Sequence, residues 1–180
     1  MTPHSITSKI LELCNAVCPG QKPVYIPVDP LPNQKVNDCF RIIPKHIDAH
    51  GGKQIIGWAI WESIEFMIIE AEFHAIWRSP TGEQVDISPK DAAVKRVLFL
   101  PDPSRKYEGP QVLDNIRHPM IDDPLLKEVC IIFHNIHIAS NEPDVTYDAE
   151  TGLAVSPKLL MMYYKMEQLR MAVRQRYGNH

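Results

Sequence analysis

Three residues, in the order Cys39, His74 and Asp86, carry the clearest chemical signal in this 180-residue chain. A thiol attacks a carbonyl as its thiolate, and the first turn of a helix favours that anion through its backbone N–H groups and dipole. Cys39 follows Asn37-Asp38, a dipeptide suited to capping a helix start. A histidine can take the thiol proton if a carboxylate fixes its tautomer and supports its positive charge. His74 and Asp86 suit those two roles. The chemistry also needs donors for the developing oxyanion. The Cys39 backbone N–H is one candidate, and the side-chain amides of Gln34 or Asn37, just upstream, are candidates for the second. Trp58 and Trp77 are expected near the site as substrate-contacting rings.

These residues meet only if the elements carrying them do. Ser5 is expected to cap a helix over 6–17, and 23–32 (PVYIPVDPLP) must run extended because of its prolines. Ile42, Ile43, His46, Ile47 and His50 recur at helical spacing before Gly51-Gly52, with Pro44 either kinking that helix or starting its regular part. Strands are expected over 53–61, 66–78, 83–88 and 97–100. In the second, the odd positions Met67 to Trp77 are apolar, while the even positions include Glu70, Glu72, His74 and Arg78. Ser79-Pro80-Thr81-Gly82 is a type I turn with a closing glycine, so Ser79 should face Glu83. That register sets His74 opposite Ser88 and Asp86 opposite Ile76. His74 and Asp86 then become diagonal neighbours about 7–8 Å apart at the backbone. The stretch 101–123 reads as a long irregular loop, followed by a helix from Asp123-Pro124 to about His137. A last helix from Ser156-Pro157 to Tyr177 carries the stripe Leu159, Met162, Met166, Leu169, Val173.

Cysteine at a helix start, histidine on a strand and aspartate on the next antiparallel strand resemble the transglutaminase-like and papain-like superfamily of cysteine enzymes. FHAIW…GEQVDISP is similar to the transglutaminase-core pattern of His-Ala-Trp, a hairpin, then Asp-Pro-Thr. Over roughly 30–105 the chain more closely resembles a widespread group of bacterial proteins sharing GWAIWE…EAEFHAIW…GEQVDISP, a group to which no firm activity is attached. The resemblance implies an α+β fold with N-terminal helices packed on an antiparallel sheet and C-terminal helices behind. It also implies Cys39 as nucleophile, His74 as base and Asp86 as orienting acid. The reaction would be thiol-dependent acyl chemistry on an amide or isopeptide bond by a hydrolase, deamidase or acyltransferase, without a cofactor and with a protein or peptide substrate. Two departures from the pattern stand out. Trp77 lies three places after His74 rather than two, and Pro44 interrupts the helix behind the nucleophile.

Two other readings of the same residues remain open. His46 and His50 are at i, i+4, and Glu72 and His74 share a strand face, so the four could form a mixed histidine–glutamate metal site. Alternatively, the tryptophans and proline-rich loops could form the surface of a binding protein without catalysis. Net charge is −3 with neutral histidines, which argues against nucleic acid as a partner. No apolar run is long enough for a membrane span, and no signal peptide is recognisable at the N-terminus. Four cysteines without such a signal are expected to be reduced thiols in a cytoplasmic protein. Length and patterning suggest one core domain over 1–150 and a helix over 151–180 that packs on it or forms a homo-oligomer through its Met-rich stripe.

Overall fold

The computed structural model of the chain describes residues 1–36, 38–90, 94–109, 113–143, 145–148 and 151–178. Their fold is α+β, with four helices and a mainly antiparallel six-stranded sheet among the described residues. Contacts divide the chain into two compact units, Met1–Glu62 with Glu70–Ile116, and Ser63–Ile69 with Arg117–His180. The division differs from the expected 1–150 and 151–180 because the helix of 124–140 shares an apolar core with the last helix.

In the first unit, helix α1 (Ser8–Val17) is capped by Thr7, not by the expected Ser5: the Thr7 hydroxyl accepts from the Ile10 N–H at 3.3 Å. Its apolar positions Ile10, Leu13 and Cys14 are buried. Strand β1 (Val24–Pro27) follows in the proline-rich stretch. Helix α2 (Cys39–His50) starts at Cys39 and runs through Pro44, which removes one internal hydrogen bond without ending it. Cys39, Ile42 and Ile43 point into the core, and Gly51, at φ 71°, ends the helix in the left-handed region.

The strands are β2 (Lys53–Ser63), β3 (Ile68–Arg78), β4 (Gln84–Val85) and β5 (Arg96–Pro101), ordered β1-β5-β2-β3-β4. The β3–β4 turn has the expected form. Trp77 pairs with Val85 and Arg78 with Gln84. The Ser79 N–H donates to the Glu83 carbonyl at 2.8 Å, and Gly82 takes φ 98°. The ladder then stops three residues earlier than expected. Asp86 turns its backbone to the end of β1 instead: its N–H donates to the Pro27 carbonyl, and its carbonyl accepts from the Asp29 N–H. Leu31 bonds the Ile87 carbonyl next to it.

The first and last strands of the path therefore meet, and the sheet curls back on itself. Closure of this kind satisfies edge groups that would otherwise be left open. It also encloses one face. Ile26, Ala59, Ile76, Val97 and Phe99 form a buried cluster there. The even side of β3, which reads as polar in the sequence, is thus partly interior, with His74 and Ile76 both buried. On the other face α2 packs Cys39, Ile42 and Ile43 against Ala75 and Ile87.

In the second unit, β6 (Ile116–Pro119) pairs with β3 inside the stretch expected to be irregular. Helices α3 (Pro124–Ser140) and α4 (Pro157–Tyr177) follow, with the short pair β7 (Thr146–Tyr147) and β8 (Ala154–Val155) between them. Asp123 caps α3 by accepting from the Leu125 N–H, and Ser156 caps α4. The stripe Leu159, Met162, Met166, Leu169, Val173 is covered within the unit, largely by α3 and Ile68. Arg176 and the Tyr177 hydroxyl both bind the Asp123 carboxylate, and Arg170 pairs with Glu65 and Glu167. No described helix is long and apolar enough to cross a membrane.

Curling the sheet requires a close approach at Gly57. A Cβ added there would lie 2.2 Å from the Leu100 carbonyl oxygen and 2.7 Å from the Phe99 ring. The Gly57→Ala variant is therefore expected to lose about 3 kcal/mol of stability or to fail to fold. A urea unfolding midpoint equal to wild type would show that the approach is not a constraint.

Candidate active site

The register of the β3–β4 turn brings His74 and Asp86 together. The His74 Nε2 lies 2.8 Å from the Asp86 Oδ2. Both side chains are deeply buried, at 6 % and 0 % exposure. They meet although the ladder ends at Val85, because Asp86 keeps the side-chain direction set by the pairing before it. The second Asp86 oxygen, Oδ1, accepts the Ser88 backbone N–H at 3.0 Å.

Cys39 completes the group. It lies close enough to the His74 ring to contribute to the rise in that ring's pKa. Cys39 packs against Ala75 and Ile87, the neighbours of His74 and Asp86, at the point where the two strands part. Asp38 takes the cap position of α2, but its side chain makes no capping hydrogen bond. The donors of the first turn are thus not spent on that carboxylate.

Burial opposes charge on His74, but the hydrogen bond to Asp86, the contact with Cys39 and the charges of both raise its pKa to about 9. Burial likewise works against ionised Asp86. The hydrogen bond and charge of His74, with Lys90 beside it, outweigh that and hold the carboxyl at about 2. Burial raises the Cys14 thiol of α1 to about 11, and Cys18, just past that helix, is raised by burial and by Asp102.

Lys90 is the member that sequence reasoning did not find. Its Nζ lies 2.7 Å from the Asp86 Oδ2 and 3.4 Å from the His74 Nε2, with the side chain 12 % exposed. One turn-like step from Asp86 is the only sequence signal it gives, and a lysine so placed reads as a solvated charge. The Ser88 hydroxyl is also buried here, without a hydrogen-bond partner among the described residues.

The remaining expected residues lie elsewhere or do other work. Gln34 is exposed on the loop before α2, and Asn37 falls outside the described residues. Trp58 is a buried core ring whose N–H donates to the buried Asp102 carboxylate at 3.0 Å. Trp77 donates to the Gly51 carbonyl at 3.0 Å and meets the His46 ring edge-on, which fastens the end of α2 to the sheet. The four residues of the alternative metal site do not converge. His46 and His50 stack on each other at the end of α2, Glu72 accepts from the Trp61 indole, and His74 faces Asp86. Among the described residues no group of three or more His, Cys, Asp or Glu side chains is placed to hold a metal ion.

Compared with known proteins, the chain matches no family model, no curated protein and no solved structure.

Two expectations follow from the buried charges. His74 binds its proton more tightly folded than unfolded, so its contribution is complete below its ordinary 6.5 and is lost as pH rises through about 9. Asp86 contributes above its ordinary 3.8 and loses that contribution as pH falls toward about 2. Denaturation midpoints should therefore decline between pH 6.5 and 9, and His74→Gln should flatten that decline; an equal decline in both proteins would assign it to other groups. Separately, Asp86→Asn leaves the Lys90 ammonium buried without its carboxylate and is expected to cost about 3–5 kcal/mol. Adding Lys90→Met should return part of the loss in urea titrations, and strictly additive losses would argue against the pairing.

Proposed function

We propose that the chain is a cysteine enzyme of the transglutaminase-like or papain-like kind, acting on an amide or isopeptide bond through Cys39, His74 and Asp86. The observation that carries this reading is the buried His74–Asp86 pair, with Cys39 at the first residue of a helix near enough to act on the same imidazole's pKa. Such an arrangement needs three elements to agree, whereas an isolated buried cysteine or a solvated histidine needs none.

In the proposed reaction the thiol proton passes to His74 and the Cys39 sulfur attacks the carbonyl carbon. The tetrahedral oxyanion is met by the backbone N–H groups at the start of α2. As the carbon–nitrogen bond breaks, His74 gives its proton to the departing amine, leaving a thioester on Cys39. Water or a second amine, deprotonated by His74, then attacks the thioester and returns the thiol. Asp86 holds the ring orientation and offsets its positive charge throughout.

A test follows from the contrast among the thiols. Iodoacetamide should alkylate Cys39 about tenfold or more faster at pH 7 than Cys14 or Cys18, with peptide mapping as the readout. His74→Ala should lower the Cys39 rate by about tenfold, and replacing Asp86 as well should add little, since both act through the same pair. Cys39 reacting no faster than Cys14 and Cys18 in the folded protein would favour the non-enzymatic binding protein.

A further inference from the structure

We propose that Lys90 is a positioning residue of this site: its ammonium shares the Asp86 Oδ2 with His74, and so limits how firmly the carboxylate holds a proton on the imidazole. The inference rests on the reading of Cys39, His74 and Asp86 given above.

The geometry carries it. A single carboxylate oxygen accepts from His74 Nε2 at 2.8 Å and from Lys90 Nζ at 2.7 Å, while the two nitrogens stand 3.4 Å apart. When Nε2 carries its proton, both nitrogens are donors aimed at one oxygen. They cannot bond each other, and with the ring protonated on both nitrogens two cations share one anion. Lys90 also reaches the Ser88 carbonyl at 3.4 Å, which fixes it over the carboxylate. Its side chain is too enclosed for water to screen the pair fully.

The groups facing His74 come from every side of the site. They are Cys39 from α2, the Phe99 ring from β5 at 6.5 Å, and Asp86 and Lys90 from the segment ending and following β4. Lys90 is the one cation in that set besides the ring itself. Asp86 alone would drive the proton onto His74 and keep it there. An imidazole that never gives up its proton cannot act as base when the thioester is resolved. With Lys90 present, Asp86 is already neutralised when the thiol and the ring are uncharged, so the proton can move either way without leaving a buried charge unmatched.

The test follows the His74 ring by NMR titration, which does not depend on any substrate. In the wild type, the Lys90 side-chain Cε resonance is expected to show a step at the His74 midpoint; a Lys90 signal that ignores that titration overturns the proposal, and this readout needs no variant to fold. In Lys90→Met the His74 midpoint is expected to rise by about one pH unit, as for removal of a near cation. Lys90→Arg, which keeps the charge, should stay near wild type. A midpoint that is unchanged in Lys90→Met, or that falls toward an ordinary histidine, would make Lys90 a scaffold for the Asp86 turn and overturn the idea. Alkylation of Cys39 at pH 7 should outpace that of Cys14 and Cys18 in the wild type if the thiol chemistry is also right. A raised His74 midpoint with an unreactive Cys39 would support the Lys90 coupling while removing the enzymatic reading.

Discussion

A carboxylate taken wholly out of water costs several kcal/mol unless its oxygens are bonded and its charge is matched. Asp86 meets both conditions: three donors reach its two oxygens, and two of them come from groups that carry positive charge. The same residue turns its backbone from β3 to β1 and closes the sheet. Side chain and main chain are therefore committed together. The closure makes the low-dielectric interior in which the His74–Asp86 bond is strong, and the bonded carboxylate makes that interior tolerable for a charge. The opening between the parted strands, where Cys39 packs, exists because the ladder ends there.

The hairpin was the most legible part of the sequence. Ser79-Pro80-Thr81-Gly82 specifies its turn through a proline that presets φ and a glycine that tolerates φ 98°, so the register at Trp77 and Arg78 could be read directly. The helix ending at His50 was legible from the apolar spacing of Ile42, Ile43 and Ile47, though not whether it begins at Cys39 or at Pro44, and both later helices from their Asp123-Pro124 and Ser156-Pro157 starts. What could not be read depends on partners far along the chain. Nothing local in Asp86 says that its backbone leaves β3 for Pro27. Without that, the even side of β3 looks like a polar surface rather than an interior, and Lys90 looks like a solvated charge. The choice of Thr7 over Ser5 as cap is a smaller case, since both hydroxyls are suitable and only packing of Ile10 and Leu13 decides between them.

The tryptophans illustrate how composition misleads about surfaces. Trp58 and Trp77 read as recognition rings, yet each uses its indole N–H inside the first unit, on Asp102 and on the Gly51 carbonyl. A large ring with one polar atom serves well as an interior fastener when a single acceptor is within reach. Trp77 in particular anchors the C-terminal end of the helix whose N-terminal residue is Cys39. The prolyl break at Pro44 lies between those two ends. Holding the far end to the sheet keeps the near end aimed at His74 despite the missing hydrogen bond.

Joining Pro27 to Asp86 also bears on how the molecule is made. The hairpin of β3 and β4 is local in the chain, and such a turn can form in microseconds. The bridge to β1 closes a loop that takes in α2, β2 and β3, and a closure of that span carries a larger entropy cost and comes later. His74 and Asp86 are thus neighbours early in folding, while the enclosure around them arrives only with the long-range contact. During synthesis or partial unfolding, the site's charged groups remain hydrated. Assembly of the His74–Asp86 enclosure and completion of the first unit are the same event, so incompletely folded chains lack that buried pair.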